Sequence, residues 1–298
     1  MRLPFCRRST FALLLVAASA LLSACTERVR LPDAGEMQPD KFLYDHGTEA
    51  VQRHHWLEAR EHFRKLVDTY TQSPYRQEAR LAVGDTYLGE GGYANYILAA
   101  NEFREFLRFS PLNPRADYAQ YRLAVSEFRQ MLGPERDQTS TLTALAEIAT
   151  FIKNYPTSEY MPEVLVMQRL ARTRLSDSEF SVGFHYFRTR WYYGTIPRLQ
   201  GILTDDPTYE RRDAVYYYLG ESYFLTRRPT EAAPYYDKLV GEFAVSEYLD
   251  RAKARLEEIK HLPDSAQPSA PAPGPAASTP APPPQTPPST STTVTPAR

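Results

Sequence analysis

The stretch DAVYYYLGESYFLTRRPTEAAPYYDKLVGEF, residues 213–243, decides the fold. Tyr216, Leu219, Gly220 and Tyr223 recur at helical spacing and share one face; Ala232, Tyr236, Leu239 and Phe243 do the same after a short break. Two short amphipathic helices joined by a turn account for this pattern. Gly220 and Ala232 are where such helices can approach closely, and the tyrosines and leucines fill the space around that contact. Residues 227–230, Arg-Arg-Pro-Thr, separate the two, with Pro229 expected to stop the first helix and Thr230 to cap the second. Pro234 is expected in the second helix's first turn, where a missing N–H costs least.

This spacing resembles the tetratricopeptide repeat, a helical pair with the pattern W-x2-L-G-x2-Y followed by A-x3-F. The matching residues are Tyr216, Leu219, Gly220, Tyr223, Ala232 and Tyr236; the usual closing proline is absent, with Ala244 nearby.

Less legible copies precede it. Gly47 lies twelve positions before Ala59, as Gly220 does before Ala232, and Phe63 and Leu66 follow. A second unit pairs Ala82, Val83 and Tyr87 with Ala99, Phe103 and Phe106 across a loop expected at residues 89–92, Gly-Glu-Gly-Gly. A third pairs Tyr121, Ala124 and Phe128 with Ala144, Ile148 and Phe151 over a polar connection, residues 133–141. The fourth runs through Val164, Leu165 and Leu170 into Tyr186, Tyr192 and Tyr193, then Leu199 and Ile202. Equivalent second-helix positions are Phe63, Phe103, Ile148, Leu199 and Tyr236, at intervals of 40, 45, 51 and 37. Each interval exceeds the ideal repeat of about 34, so the copies carry insertions. Proline-marked corners follow all but the last: Tyr70 with Pro74, Pro111 with Pro114, Tyr155 with Pro156, Asp206 with Pro207. The fold class expected is all-α, a right-handed solenoid of about five such pairs over residues 40–262, each burying its apolar face on its neighbours.

The two ends differ from this array. Arg2, Arg7 and Arg8 precede an apolar run, residues 11–22, and then Leu22-Ser23-Ala24-Cys25. A basic start, a short hydrophobic core and small residues before a cleavage point make a secretory signal, too short to span a bilayer comfortably. Leu-Ser-Ala-Cys resembles a bacterial lipobox, which makes 1–24 a lipoprotein signal peptide, Cys25 the lipidated first residue, and 25–39 a tether. An ordinary signal peptide cut near Cys25 and a coincidental apolar start are the other readings. With Cys6 removed, Cys25 is the one mature cysteine, so an internal disulfide is excluded and the core alone must hold the fold. Thr26, in place of the aspartate that retains such lipoproteins at the inner membrane, favours the inner leaflet of the outer membrane. Processing takes the balance from 35 basic and 36 acidic side chains to 32 and 36, about −4, with no basic block left for nucleic acid. At the far end, residues 263–298 are almost all Pro, Ala, Ser, Thr and Gln, with twelve prolines in 36 positions, which predicts a disordered spacer with polyproline II character.

Nothing in the chain sets up catalysis. The serines have no G-x-S-x-G setting; Asp205 and Asp206 are adjacent and point apart in a helix, fitting a corner role; Glu257 and Glu258 read as a solvated helix face. His54, His55 and His62 cluster, but no further ligand at metal spacing accompanies them, so solvated helix ends and turns are expected and neither metal nor cofactor beyond the lipid.

The order of segments resembles the BamD family of outer-membrane assembly lipoproteins, also called ComL-like or YfiO-like. The residues that carry this are Cys25; Trp56-Leu57-Glu58-Ala59; Tyr70 through Ser73-Pro74-Tyr75; Phe106-Leu107-Arg108 with Asn113-Pro114 and Asp117-Tyr118; residues 155–160, Tyr-Pro-Thr-Ser-Glu-Tyr; and residues 198–203, Arg-Leu-Gln-Gly-Ile-Leu. The resemblance implies a non-catalytic partner in the machine that inserts β-barrels into the outer membrane. Its C-terminal repeats would dock on a periplasmic domain of the barrel subunit BamA, and its N-terminal repeats would receive the C-terminal strand of unfolded barrel proteins. Arg198 matches the family's BamA-facing arginine; Tyr70, Pro74 and Tyr75 fall in its substrate-facing segment. From the residues alone, Arg198 reads equally as a solvated charge after a helix-starting Pro197, and Tyr70 as a corner-packing aromatic. The long proline-rich tail, the glycine loop at 89–92 and Thr71-Gln72 depart from the family's pattern. A periplasmic repeat adaptor coordinating cell-wall synthesis with envelope growth is the alternative function.

Overall fold

A computed structural model describes residue 35 and residues 38–262; the signal segment, Cys25, most of the tether and the tail 263–298 lie outside the described residues. Within them the chain forms eleven helices and no strand. Five pairs stack in order: α1 (Pro39–Gln52) with α2 (Trp56–Thr69), α3 (Arg76–Glu90) with α4 (Tyr93–Phe109), α5 (Ala116–Arg129) with α6 (Thr139–Asn154), α7 (Met161–Arg188) with α8 (Tyr192–Asp205), and α9 (Arg212–Leu225) with α10 (Pro229–Glu242). A last helix, α11 (Leu249–Lys260), covers the end of the stack. Each helix packs on the ones before and after it, and the first helices of successive pairs also touch, α3 on α5, α5 on α7 and α7 on α9, so they line the tighter side of the array.

Phe63, Phe103, Ile148, Leu199 and Tyr236, the five positions expected to be equivalent, are all fully buried in second helices. In four of the five pairs a glycine of the first helix lies under that side chain: Gly47 under Phe63, Gly84 under Phe103, Gly183 under Leu199, Gly220 under Tyr236. A methyl group at Gly84 or Gly220 would come within 2.6 Å of the ring, so the close approach requires glycine there. Three clusters result. One spans α1–α5 around Phe63, Phe103 and Phe106, one spans α7–α11 around Leu199, Tyr209 and Tyr236, and a small one of Ala124, Ile148, Phe151 and Val164 lies between them.

The corners carry a recurring clamp. Ser73 donates to Asp40 at 2.7 Å, Ser158 to Asp117 at 2.8 Å and Ser246 to Asp213 at 2.7 Å; each serine follows a second helix, and each aspartate sits in the first turn of that pair's first helix. The same hydroxyls accept the N–H two residues on, from Tyr75, Tyr160 and Tyr248, which fixes the entry into the next helix.

Several local expectations change. Thr230 does not cap α10: Arg228 is the N-cap and Pro229 is the first helical residue, where its fixed φ starts the helix rather than stopping the previous one. Arg227, at φ 60°, makes the turn, as His54 and Arg190 do in theirs. Pro234 and Pro197 lie in helix interiors, so Pro197 does not start α8. Gly89 belongs to α3, beneath the Trp56 ring, leaving Gly91 and Gly92, both at positive φ, as the whole α3–α4 turn. Thr141, placed in the polar connection, is buried in α6. Leu165 and Leu170 are exposed; α7 is 28 residues long, and its packing face runs through Val164, Ala171, Ser176, Phe180 and Gly183. His62 is fully buried between α1 and α2, not solvated.

Candidate functional site

The corner between α2 and α3 holds Tyr70, Pro74 and Tyr75. Tyr70 caps α2, its N–H bonded to Leu66 O at 2.9 Å, and its half-buried ring packs against the N-terminal core. Ser73, clamped to Asp40, turns the chain so that Pro74 is exposed and the Tyr75 ring stacks on Tyr44 of α1, 5.1 Å between centroids. Tyr44 also borders a groove of about 200 Å³ on the side of the first helices, lined by Phe63, Glu78, Asp85, Arg115 and Tyr118. Tyr118 Oη donates to Asp85 at 2.8 Å and Arg122 Nε donates to it at 2.6 Å. Burial lifts the Asp85 carboxyl above its ordinary range against the pull of Arg122, and lifts the Tyr118 phenol too. Aromatic walls with charges of both signs suit an extended peptide, whose backbone and side chains can each find a partner. Tyr44, Glu78 and Arg115 joined this surface without any sequence signal; they come from α1, α3 and the residue just before α5.

Arg198 stands elsewhere, in α8. Its neighbour Leu199 is fully buried against Gly183, so the helix is fixed and Arg198 projects at the rim. Its guanidinium pairs with Glu179 of α7 at 3.0 Å, and that hydrogen bond raises its already high pKa. Both partners are about half exposed, so the pair is loosely held and can be exchanged for another carboxylate. Arg198 borders a groove of about 580 Å³ between α6, α7 and α8, with Leu142, Leu175, Pro197 and Gly201 as apolar wall and Arg172 as a second cation.

Beneath that groove Asp206 is nearly buried at the end of α8. It accepts hydrogen bonds from Arg169, from Ser176 at 3.0 Å and from Thr208 at 3.2 Å. Burial alone would raise this carboxyl, but those donors outweigh it and hold it below the usual carboxylate range. Its corner role was expected; its ion pair with Arg169, 37 residues away, was not. Glu257 and Glu258 are exposed and paired with Lys260 and Arg255 on their own helix. Among the described residues no group of three metal-ligating side chains converges, and no helix is long and apolar enough to cross a membrane.

The two surfaces therefore border separate cores, Tyr70 and Tyr75 packing on one with Pro74 beside them, and Leu199, next to Arg198, lying in the other. Residues 36–227 match the YfiO family model, described as outer membrane lipoprotein, and residues 214–244 match a tetratricopeptide repeat model. This chain belongs to the YfiO family of outer-membrane lipoproteins. A curated relative from Caulobacter vibrioides, outer membrane protein assembly factor BamD, is 28% identical over 231 residues, 75% of this chain and 72% of that protein. The protein of the same name from Xylella fastidiosa is 22% identical over 225 residues, 70% and 74% of the two. Among solved structures, the MamA protein is 14% identical with a TM-score of 0.32, covering 71% of this chain and 98% of that one. A tetratricopeptide repeat protein from Parabacteroides merdae is 12% identical with a TM-score of 0.23, covering 74% and 98%. The YfiO-family match takes in the α2–α3 corner and Arg198, and the chain is BamD-like.

Proposed function

We propose that this chain is a non-catalytic scaffold lipoprotein of the outer-membrane β-barrel assembly machinery, with residues 40–262 as its repeat domain. The reading rests on the family match across residues 36–227, supported by BamD-named relatives at similar length. Cys25 carries the lipid that anchors it to the periplasmic leaflet of the outer membrane, and 25–39 is the tether. The α8 surface around Arg198 docks on the periplasmic domain of a BamA-type barrel protein. An exposed, exchangeable ion pair beside an apolar groove suits that task, because a partner carboxylate can replace Glu179 while apolar side chains fill the groove. Tyr70, Pro74 and Tyr75, with the groove beside Tyr44, receive unfolded outer-membrane β-barrel proteins. A scaffold of this kind needs shape and many modest contacts, not a reactive side chain.

Arg198→Glu tests the docking half. The substitution puts like charge beside Glu179 at an exposed site, so the expected change in folding stability is within about 0.5 kcal/mol. Binding to a purified BamA-type periplasmic domain should fall tenfold or more, while helical content and thermal unfolding stay nearly unchanged. Normal binding by the variant would remove Arg198 from the interface.

A further inference from the structure

Three turns between paired helices place a non-glycine residue at positive φ: His54, Arg190 and Arg227. The residue after it donates its N–H to the carbonyl five residues back in each case, as His55, Trp191 and Arg228. At two of these equivalent positions the side chain is polar; at the third stands Trp191, 57% exposed. The turn geometry does not require an indole there. Nor is the ring loosely attached. One side covers Gly194, where a methyl group would come within 2.8 Å of it, and Tyr186 meets it edge-to-face at 4.6 Å. Tyr193, next along α8, is 64% exposed. A rigid, outward indole with flanking tyrosines is the surface on which proline rings of a polyproline II segment stack, because that helix is already extended and loses little entropy on docking.

We propose that residues 281–288 of this same chain, Ala-Pro-Pro-Pro-Gln-Thr-Pro-Pro, dock on the Trp191–Tyr186 ledge. The chemistry matches: residues 263–298 hold twelve prolines, no aromatic ring and only two charged side chains, Asp264 and Arg298, so they offer a charge-poor ligand that suits an aromatic face rather than a charged groove. The reach is sufficient. From Leu262 to Pro282 is 20 residues, about 60 Å at ~3.1 Å per residue in polyproline II. The path from α11 back to α8 crosses three helix–helix contacts of about 9 Å each plus one helix length of about 21 Å. Tethering then supplies an effective concentration in the millimolar range, enough to populate a weak contact.

The chain has two tryptophans, so Trp56→Phe leaves Trp191 as the sole indole reporter. In that full-length background, acrylamide quenching of Trp191 is compared before and after replacing Pro282, Pro283, Pro284, Pro287 and Pro288 with serine. The quenching constant should rise about twofold on replacement, and a synthetic peptide of residues 279–290 should restore protection. Equal quenching in the two chains overturns the proposal. Protection that disappears on dilution overturns it as well, since the ledge is then covered by the tail of a second copy.

Discussion

The second and last repeats share one packing device and finish it differently. In α3–α4 the ring over Gly84 is Phe103, which carries no polar atom. In α9–α10 the ring over Gly220 is Tyr236, and its buried hydroxyl donates to Glu221 at 2.8 Å; Arg255 of α11 then donates to the same carboxylate at 2.8 and 3.1 Å. Glu221 is nearly buried, so α11 does more than cover apolar surface: it supplies the cation without which the carboxylate would stand desolvated and half-paired. The N-terminal core has the opposite condition. His62 is fully buried there, and neither ring nitrogen has a hydrogen-bond partner among the described residues. The C-terminal core ends in a buried carboxylate whose network the last helix completes, and the N-terminal core encloses a buried imidazole that no donor or acceptor among the described residues reaches.

The largest difference should appear on removing the completing cation. Arg255→Leu leaves Glu221 buried with only Tyr236, and is expected to cost about 3 kcal/mol in the C-terminal repeats. Arg64→Leu, which removes an exposed guanidinium from Glu102 at 3.1 Å and from the Tyr87 hydroxyl at 2.9 Å in the N-terminal repeats, should cost about 1 kcal/mol. Amide exchange resolved by repeat measures both, since an array of repeats need not unfold as one unit. Equal losses would erase the distinction between the halves.

Gly84→Ala and Gly220→Ala sharpen it from the other side. Each methyl meets its ring at 2.6 Å, so both should lose about 1–3 kcal/mol, read as a fall in denaturant midpoint. A much larger loss at Gly220 would mean that displacing Tyr236 also breaks its bond to Glu221.

The smallest effect is a pH dependence confined to the N-terminal repeats. Burial lowers the pKa of His62, partly opposed by Glu58, whose Oε1 lies 3.9 Å from Nε2, while the His46 ring on α1 adds to the lowering. The unfolded chain therefore binds a proton more readily than the folded one below the ordinary histidine value of about 6.5. Stability from this site is intact above that pH and is lost as pH falls below it. Protection factors in α1 and α2, taken relative to the intrinsic exchange rate at each pH, should fall between about pH 7.5 and 5.5, those in α9 and α10 should not, and His62→Leu should flatten the N-terminal response.

The legible part of this fold was whatever depended on helical spacing. Phe63, Phe103, Ile148, Leu199 and Tyr236 could be aligned because a buried ring or branched chain opposite a small residue repeats along the chain. What depended on burial of a polar residue was not legible. His62 carries the same composition signal as the exposed His54, and Thr141 reads as part of a polar connection although α6 buries it. Leu165 and Leu170 misled because a 28-residue helix turns its face several times, and an apolar residue need not follow it. The Asp–Ser clamps did leave a trace, at separations of 33, 41 and 33 residues, with a tyrosine two positions after each serine. As for the candidate surfaces, Arg198 and the Tyr70 corner are visible in the sequence only through family resemblance, because exposed charges and corner aromatics have no periodicity to set them apart.

The most direct test of the scaffold reading is a mild-detergent purification of the tagged, lipidated chain from its own envelope, with every co-purifying protein identified and quantified. The account predicts a BamA-type barrel protein in near-equal amount, lost on Arg198→Glu. Recovery of cell-wall enzymes with no such barrel would contradict it and make the chain a periplasmic adaptor that shares only the repeat fold.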